Sequence, residues 1–379
     1  MQSIYLDHAA STPVRREVRE AMLPFFTERF GNPSSMHRWG QEARAQLEDA
    51  RARLARLLGA APGEIVFTRG GTEADNLAIL GRSRIAPGSP IACSAIEHRA
   101  VLAAAEAAAE EGSPLHLLQP TQDGVVEPAT LDGVLALKPA VVSVMWVNNE
   151  IGTIQPVQEL AERCGAAGVP FHTDAVQALG KLPIRVDRSP VSLLSLSAHK
   201  LGGPKGTGAL FVRRGVELKP LHFGGGHERG MRSGTEDVAG AVGFVRAAEL
   251  AEAERESVGQ RLGELRSRLE SGLRERIPDL LVNGSSAPRV SSISNVSVPG
   301  ANSESLLLSL DMEGIAASSG SACSSGAITP SHVLTALGLT SDVAGPSVRF
   351  SLGRDSTDRD IARVLEIFPA LVSRLRKIA

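Results

Sequence analysis

VSLLSLSAHKLGGPKGTGALFV, residues 191–212, holds two short apolar runs separated by a turn of unusual composition. VSLLSLS and GALFV are each too short for a buried helix, rich in aliphatic residues, and bounded by polar residues or glycine, which predicts buried strands. Between them stand Ser197, His199 and Lys200, then Gly202, Gly203, Gly206 and Gly208. No GK[ST] element is present, so the turn is not a nucleotide P-loop. A lysine at the end of a buried strand has little structural use. Burial disfavours its charge and lowers its pKa, which suits a Schiff base. For a single lysine, a stem that carries the ammonium out to solvent is the plainer reading, and Lys205 fits that reading best.

The same punctuation recurs upstream. EIVFT (64–68), PIACS (90–94), AVVSVMWV (140–147) and VPFHTD (169–174) are further apolar runs, and helical patterns such as GQEARAQLEDARARLARLLG (40–59) lie among them. Alternation of this kind over residues 41–254 predicts an α/β fold with a mostly parallel sheet covered by helices on both faces. In such sheets ligands gather beyond the carboxyl ends of the strands. A charged helical pattern then runs over about 236–276. Beyond it, RVSSISNVSVPG (289–300) and PSVRFSLGR (346–354) predict strands of a second, smaller α+β sheet domain. We place the domain boundary at residue 255, inside the long helix, giving a large domain over 16–255 and a small domain over 256–379. The first fifteen residues fit either by sequence and are assigned to the small one.

The residues after each strand carry the chemistry. After EIVFT comes RGGTEADN (69–76), where Gly70 and Gly71 permit a tight turn and Thr72 is expected to cap a helix opening with Glu73 and Asp75. Free N–H groups at such a start bind phosphate, although a plain capped helix explains the stretch as well. After VPFHT come Asp174 and Gln177, and an acid at the end of a buried strand needs a partner. A phosphate-ready helix start, a carboxylate and a lysine at successive strand ends together suit pyridoxal phosphate, which needs an imine lysine, a carboxylate for its ring nitrogen and a phosphate cup.

Bulk properties exclude other classes. A net charge of -2 with 42% hydrophobic residues gives no sign of nucleic-acid or membrane binding. No apolar run is long enough to span a membrane, and MQSIYLDHAAS lacks the order of a signal peptide. Three separated cysteines, Cys93, Cys164 and Cys323, form no CxxC pair. A reducing, cytoplasmic setting is the simplest expectation. Cys93 and Cys164 fall in a strand and a helix and are read as small buried apolar side chains. Cys323 differs: SSGSACSSGA (318–327) has nothing large to bury it.

YLDHAASTPV, FGNPSS, GGTEADNLAI, EHRAV, VNNEIGTIQP, HTDAVQALGK, SAHKLGGPKGTGAL, GGGHERGMRSGT, SSGSACSSG and VRFSLGR follow one another along nearly the whole chain. In this order they resemble the cysteine desulfurases of the NifS/IscS type, in the class V group of pyridoxal-phosphate aminotransferase-like enzymes (fold type I). The resemblance implies that Lys200 carries the cofactor imine, that Asp174 partners the ring nitrogen, and that Gln177 neighbours the ring hydroxyl. It implies that His98 stacks on the ring as an acid/base. Gly71, Thr72, Ser197 and His199 would serve the phosphate cup. Thr235 would reach the phosphate from a second subunit, making a homodimer. Asn149 and Arg349 would hold the substrate carboxylate, for which the planar fork of Arg349 is well suited. Cys323 would be the nucleophile that takes sulfur from L-cysteine as a persulfide, leaves alanine, and hands the sulfur to an acceptor protein. Candidate acceptors are an iron–sulfur scaffold, a tRNA-thiolating enzyme or a carrier for a thio-cofactor.

A Ser/Gly-rich lead-in to Cys323 resembles the longer, mobile-loop group of these enzymes. Two features depart from close relatives. The chain ends soon after its last predicted helix, without a longer docking tail, and Phe223 stands where a polar residue is usual. Two other readings are a selenocysteine lyase, in which Cys323 would be dispensable, and a catalytically silent sulfur-transfer scaffold. The presence of Lys200, Asp174, His98, Arg349 and Cys323 together speaks against the second.

Overall fold

The computed structural model describes residues 3–319 and 330–377. Cys323 lies outside the described residues. Seven strands, β2 (Ile65–Thr68), β3 (Ile91–Ser94), β4 (Leu115–Leu118), β5 (Val141–Ser143), β6 (Phe171–Asp174), β7 (Leu193–Ser197) and β8 (Gly208–Val212), form one sheet in the order β2-β8-β7-β6-β5-β3-β4. Only β8 runs against the others, pairing antiparallel with both β2 and β7. The remaining six point the same way, so their carboxyl ends share one edge.

Alternate residues of each strand enter different cores. Phe67, Ala92, Val142, Leu194 and Phe211 pack on one face, against the helices Arg38–Leu58 and Val157–Ala166 and the start of the long helix. Val66, Cys93, Val141, Leu193 and Leu210 pack on the other, against the helices Gly71–Ser83 and Arg99–Glu110. Burial on both faces is why the central strands read as continuous apolar runs. The sheet agrees with the α/β expectation, with two differences. AVVSVMWV yields a strand of only three residues; beyond it Val144 N and Trp146 N still bond His172 O and Asp174 O at 3.1 and 2.9 Å, and Val147 bridges to Ile154. The strand β4 lacks a signal: LHLL has no β-branched residue and lies half-exposed at the sheet margin.

The strand β2 is the other margin, and its outer backbone groups are covered by a buried ion pair. Arg51 donates to Ile65 O at 2.8 Å and to Glu228 Oε2 and Oε1 at 2.7 and 2.8 Å, while Glu228 Oε2 also accepts from Phe67 N at 3.0 Å. Both side chains are almost wholly shielded. The pair thus blunts an open edge and pins the glycine-rich loop that carries Glu228 to the helix that carries Arg51.

A 39-residue helix, Val238–Arg276, begins at Asp237, whose Oδ1 accepts from Gly240 N at 2.8 Å. Residues 238–248 are nearly all buried in the first core, whereas only one stripe (Leu262, Leu265, Leu269, Leu273) is buried further on. That stripe packs on a second core around a three-stranded antiparallel sheet of β9 (Leu281–Val282), β10 (Ile293–Ser297) and β12 (Ser347–Ser351), in the order β12-β10-β9. The helices Ser303–Met312 and Asp358–Leu375 complete it. The N-terminal strand β1 (Ile4–Tyr5) pairs in parallel with β11 (Ile315–Ala316), and Leu6 is buried in this second core, while Ala9 is buried in the first. Among the described residues no helix is long and apolar enough to cross a membrane.

Glu228→Gln should leave the buried Arg51 charge with only the half-exposed Glu48, 3.2 Å from its Nε, as a carboxylate partner. We expect a loss of about 3–5 kcal/mol in urea unfolding. A loss below about 1 kcal/mol would show that the pair does not hold the β2 margin.

Candidate active site

The common strand edge gathers the polar groups. After β2, Thr68 Oγ1 donates to Gly70 O at 2.9 Å, and Gly70 has φ 138°, a conformation open to glycine. The helix then starts at Gly71 with Gly70 as its cap residue, and no side chain caps it. Thr72, expected as the cap, sits inside the first turn and is exposed. A Cβ on Gly71 would lie 2.8 Å from Val176 Cγ2 and 3.7 Å from Ser197 Cβ, so the backbone itself is packed against the turns after β6 and β7. The first N–H groups of this helix have no partner within it.

After β3 come Glu97 and His98. Glu97 is buried; its Oε1 accepts from Met145 N at 2.6 Å, and burial holds its carboxyl well above the usual range. His98 caps the helix Arg99–Glu110, with Nδ1 accepting from Ala100 N at 3.1 Å.

After β6, Asp174 is buried, and its Oδ1 accepts from Val176 N at 2.8 Å. Burial raises its carboxyl, against the pull of His98, the Val176 N–H and Lys200. Two residues earlier on the same strand, and therefore on the same face, is His172. It bonds Ser143 Oγ at 2.8 Å and Ser195 Oγ at 2.9 Å, and Asp75 Oδ1 is 3.6 Å away. Burial pulls the His172 imidazole down to about 3, so it is neutral. Asp75 is raised well above the carboxylate range, first by burial and then by Asp174. A neutral, hydrogen-bonded layer thus underlies Asp174. Gln177 follows, with Nε2 donating to Ala9 O at 3.0 Å.

After β7, the Ser197 hydroxyl is buried with no hydrogen-bond partner among the described residues. Burial, then the charges of Lys200 and Lys205, pull His199 down to about 4. Lys200 Nζ donates to Ala9 O at 2.5 Å and Ala10 O at 2.7 Å. Lys205 is exposed, as its turn context predicts.

The second core sends one charged group to this edge. Arg349, on β12, is almost fully buried and donates to the backbone O of Asn149 at 2.9 Å and to Asp7 Oδ1 at 2.8 Å. The structure therefore brings Asn149 and Arg349 together, through the carbonyl of Asn149. Ser318 and Arg349 exchange backbone hydrogen bonds of 3.2 and 2.6 Å. Ser331, which caps the helix His332–Ala336, donates to the buried Glu150, and His332 Nε2 lies 2.9 Å from Glu97 O. Thr235 is exposed on the loop before the long helix, and among the described residues no hydrogen bond joins it to the strand edge. Cys93 and Cys164 are buried as expected, and burial pushes the Cys164 thiol up to about 12.

Sequence reasoning missed Glu97, Asp75, His172 and Lys181. Lys181 Nζ donates to Gln177 Oε1 at 2.5 Å, and the four-residue spacing of the two was its available signal. Among the described residues no cluster of three or more acidic, histidine or cysteine side chains is arranged to hold a metal.

The donor set fits a phosphorylated pyridine. The open helix start and the unsatisfied Ser197 hydroxyl suit a phosphate. Asp174 is a buried carboxylate for which a ring N–H would be a fitting donor, and Lys200 stands within the same edge.

Comparison with known proteins agrees with this geometry. Residues 4–364 match the family described as Aminotransferase class-V. A cysteine desulfurase of Gluconacetobacter diazotrophicus is 46% identical over 382 residues, covering 100% of this chain and 96% of the relative. The cysteine desulfurase IscS of Dictyoglomus turgidum is 43% identical over 380 residues, with the same coverage. A solved structure described as a NifS-like protein superimposes with a TM-score of 0.91 at 33% identity, covering 99% of this chain and 100% of that one. The strand-edge site, the sheet order and these full-length matches agree: the chain belongs to the aminotransferase class-V family, and within it to the cysteine desulfurases.

Proposed function

We propose that this chain is a pyridoxal-phosphate-dependent L-cysteine desulfurase in which Cys323 receives the sulfur as a persulfide. The observation that carries the reading is the position of Arg349. It reaches Asn149 at the strand edge and exchanges backbone hydrogen bonds with Ser318, five residues before Cys323. Arg349 thus joins the strand edge to the segment that leads into Cys323 in the sequence.

Pyridoxal phosphate, when bound, supplies an electron sink that makes the Cβ–S bond of cysteine breakable. The chain's residues do the rest. Lys200 would hold the cofactor, and Asp174 would keep a proton on its ring nitrogen. Gly71, Thr72, Ser197 and His199 would hold its phosphate, with His199 neutral and acting through N–H donation. Gln177 would sit beside the ring hydroxyl. Arg349 and Asn149 would orient the substrate by its carboxylate. His98, with Nδ1 engaged by its own helix, would move protons. The Cys323 thiolate would attack the substrate's sulfur. The S–S bond forms as the C–S bond breaks, and the carbon keeps the electron pair and takes up a proton. Cys323 thiol plus L-cysteine therefore give Cys323 persulfide plus L-alanine, with no external oxidant.

We further propose the division into a large domain (16–255) and a small one (1–15 and 256–379), since the long helix changes core partners near that point. We infer a homodimer, with Thr235 reaching the partner's phosphate site. Leu23, Phe26, Phe30, Met36 and Trp39 are all exposed within one short stretch, as is Phe223, and exposed apolar groupings of this kind mark interfaces. The persulfide's recipient is proposed to be an acceptor protein. A reducing, cytoplasmic location suits a chemistry that depends on a free thiol.

Incubation with L-cysteine should add the mass of one sulfur atom to the peptide containing Cys323, and Lys200→Ala should abolish the gain. Cys323→Ser should cut alanine formation on the order of 100-fold or more, the scale of losing a principal catalytic group. Alanine release at the wild-type rate without Cys323 would replace this reading with a lyase. Light scattering of the purified protein should give twice the chain mass; a single-chain mass would contradict the shared site.

A further inference from the structure

Gln177 is held at both ends. Its Nε2 donates to Ala9 O at 3.0 Å, and its Oε1 accepts from Lys181 Nζ at 2.5 Å. An ammonium has no acceptor and a carbonyl has no donor, so only one orientation of the amide satisfies both neighbours. Ala9 O is also an acceptor for Lys200 Nζ, at 2.5 Å. Lys181, Gln177, Ala9 and Lys200 therefore form one continuous hydrogen-bonded chain. The local backbone makes this possible. Residues 175–181 turn tightly, with Leu179 N bonded to Ala175 O and Lys181 N to Ala178 O. Gly180 has φ 71°, and a Cβ there would meet Ala251 Cβ at 2.7 Å. Glycine is thus required for Lys181 to return to the side of Gln177.

We propose that Lys181 is a positioning residue of the reaction: it fixes the Gln177 amide with its NH2 end toward Ala9 and Lys200, and its charge disfavours a proton on the Lys200 nitrogen. The charges facing Lys181 agree with this role. Lys200 and Arg349 are its cationic neighbours, and His8 is close enough to be pulled down by it. Lys181 also lines a cavity of about 280 Å³ between the two cores. The acids of that cavity are engaged elsewhere: Glu254 pairs with Arg15 at 2.5 Å, and Asp355 with Arg354 at 3.4 Å. Among the described residues no carboxylate bonds to Lys181. Burial, then Lys200 and Arg349, pull Lys181 down to about 7.

The inference rests on the proposed function, and its test separates the two. The visible absorbance of the bound cofactor would be titrated against pH in the wild type and in Lys181→Met, Lys181→Gln and Lys181→Arg, with Lys200→Ala as the control. Removing a nearby positive charge favours protonation, so Lys181→Met should raise the apparent pKa by about one unit. Lys181→Arg, which keeps charge and donor, should titrate close to wild type. Lys181→Gln keeps a donor to Gln177 without the charge and should shift as Lys181→Met does; wild-type behaviour would overturn the electrostatic role. A cofactor band that titrates within about 0.2 unit of wild type in Lys181→Met overturns the proposal alone. A wild-type spectrum identical to that of Lys200→Ala overturns the function it rests on, and the proposal with it.

Discussion

Six strands running the same way place six carboxyl ends on one edge of the sheet, and the polar groups of this protein collect there because they have few other places to go. Both faces of the sheet are sealed by helices and apolar side chains. Only the loops leaving the strands can carry groups that must meet a ligand. The cost is visible in the acids. Asp75, Glu97 and Asp174 are all buried and all raised, mainly by burial. Such groups are tolerable where serines, a neutral histidine and backbone N–H groups surround them. The cluster is a small polar interior built under the site.

The second core completes what the sheet edge lacks. The edge holds four buried acids, Asp75, Glu97, Glu150 and Asp174, whereas the guanidinium suited to a substrate carboxylate comes from β12. The N-terminal segment joins the two. Leu6 is anchored in the second core, Asp7 pairs with Arg349, and the carbonyls of Ala9 and Ala10 hold Lys200. Four residues thereby couple the position of the lysine to the position of the arginine. A movement between the cores would be felt at both ends of the site.

Much of this was legible in the sequence, for a physical reason. Short apolar runs bounded by glycine or acid mark buried strands, and the residue after each run must lie at the edge. Lys200, Asp174 and Gln177 were found in that way. The limits are equally specific. The strand β4 is built of Leu and His and is half-exposed, so neither composition nor alternation marks it. The strand β5 is shorter than its apolar run, and the run's last residue, Val147, bridges to Ile154, a tertiary contact that local pattern does not contain. Thr72 was expected to cap a helix by residue type, but the helix starts at Gly71 with Gly70 in the cap position, two residues before Thr72.

Glu97, His172 and Lys181 show the deeper limit. Each is an ordinary residue in its own stretch of sequence. What makes Glu97 notable is the Met145 N–H across the sheet, and what makes His172 notable is a serine on each neighbouring strand. Lys181 differs in degree. Its spacing from Gln177 is local, yet the meaning of that spacing depends on Gly180 turning the chain and on Ala9 arriving from the other end of the protein. A motif such as HTDAVQALGK therefore carries more than the acid and the amide at its centre. Its last two residues are where a local turn brings the Lys181 amine onto the amide of Gln177.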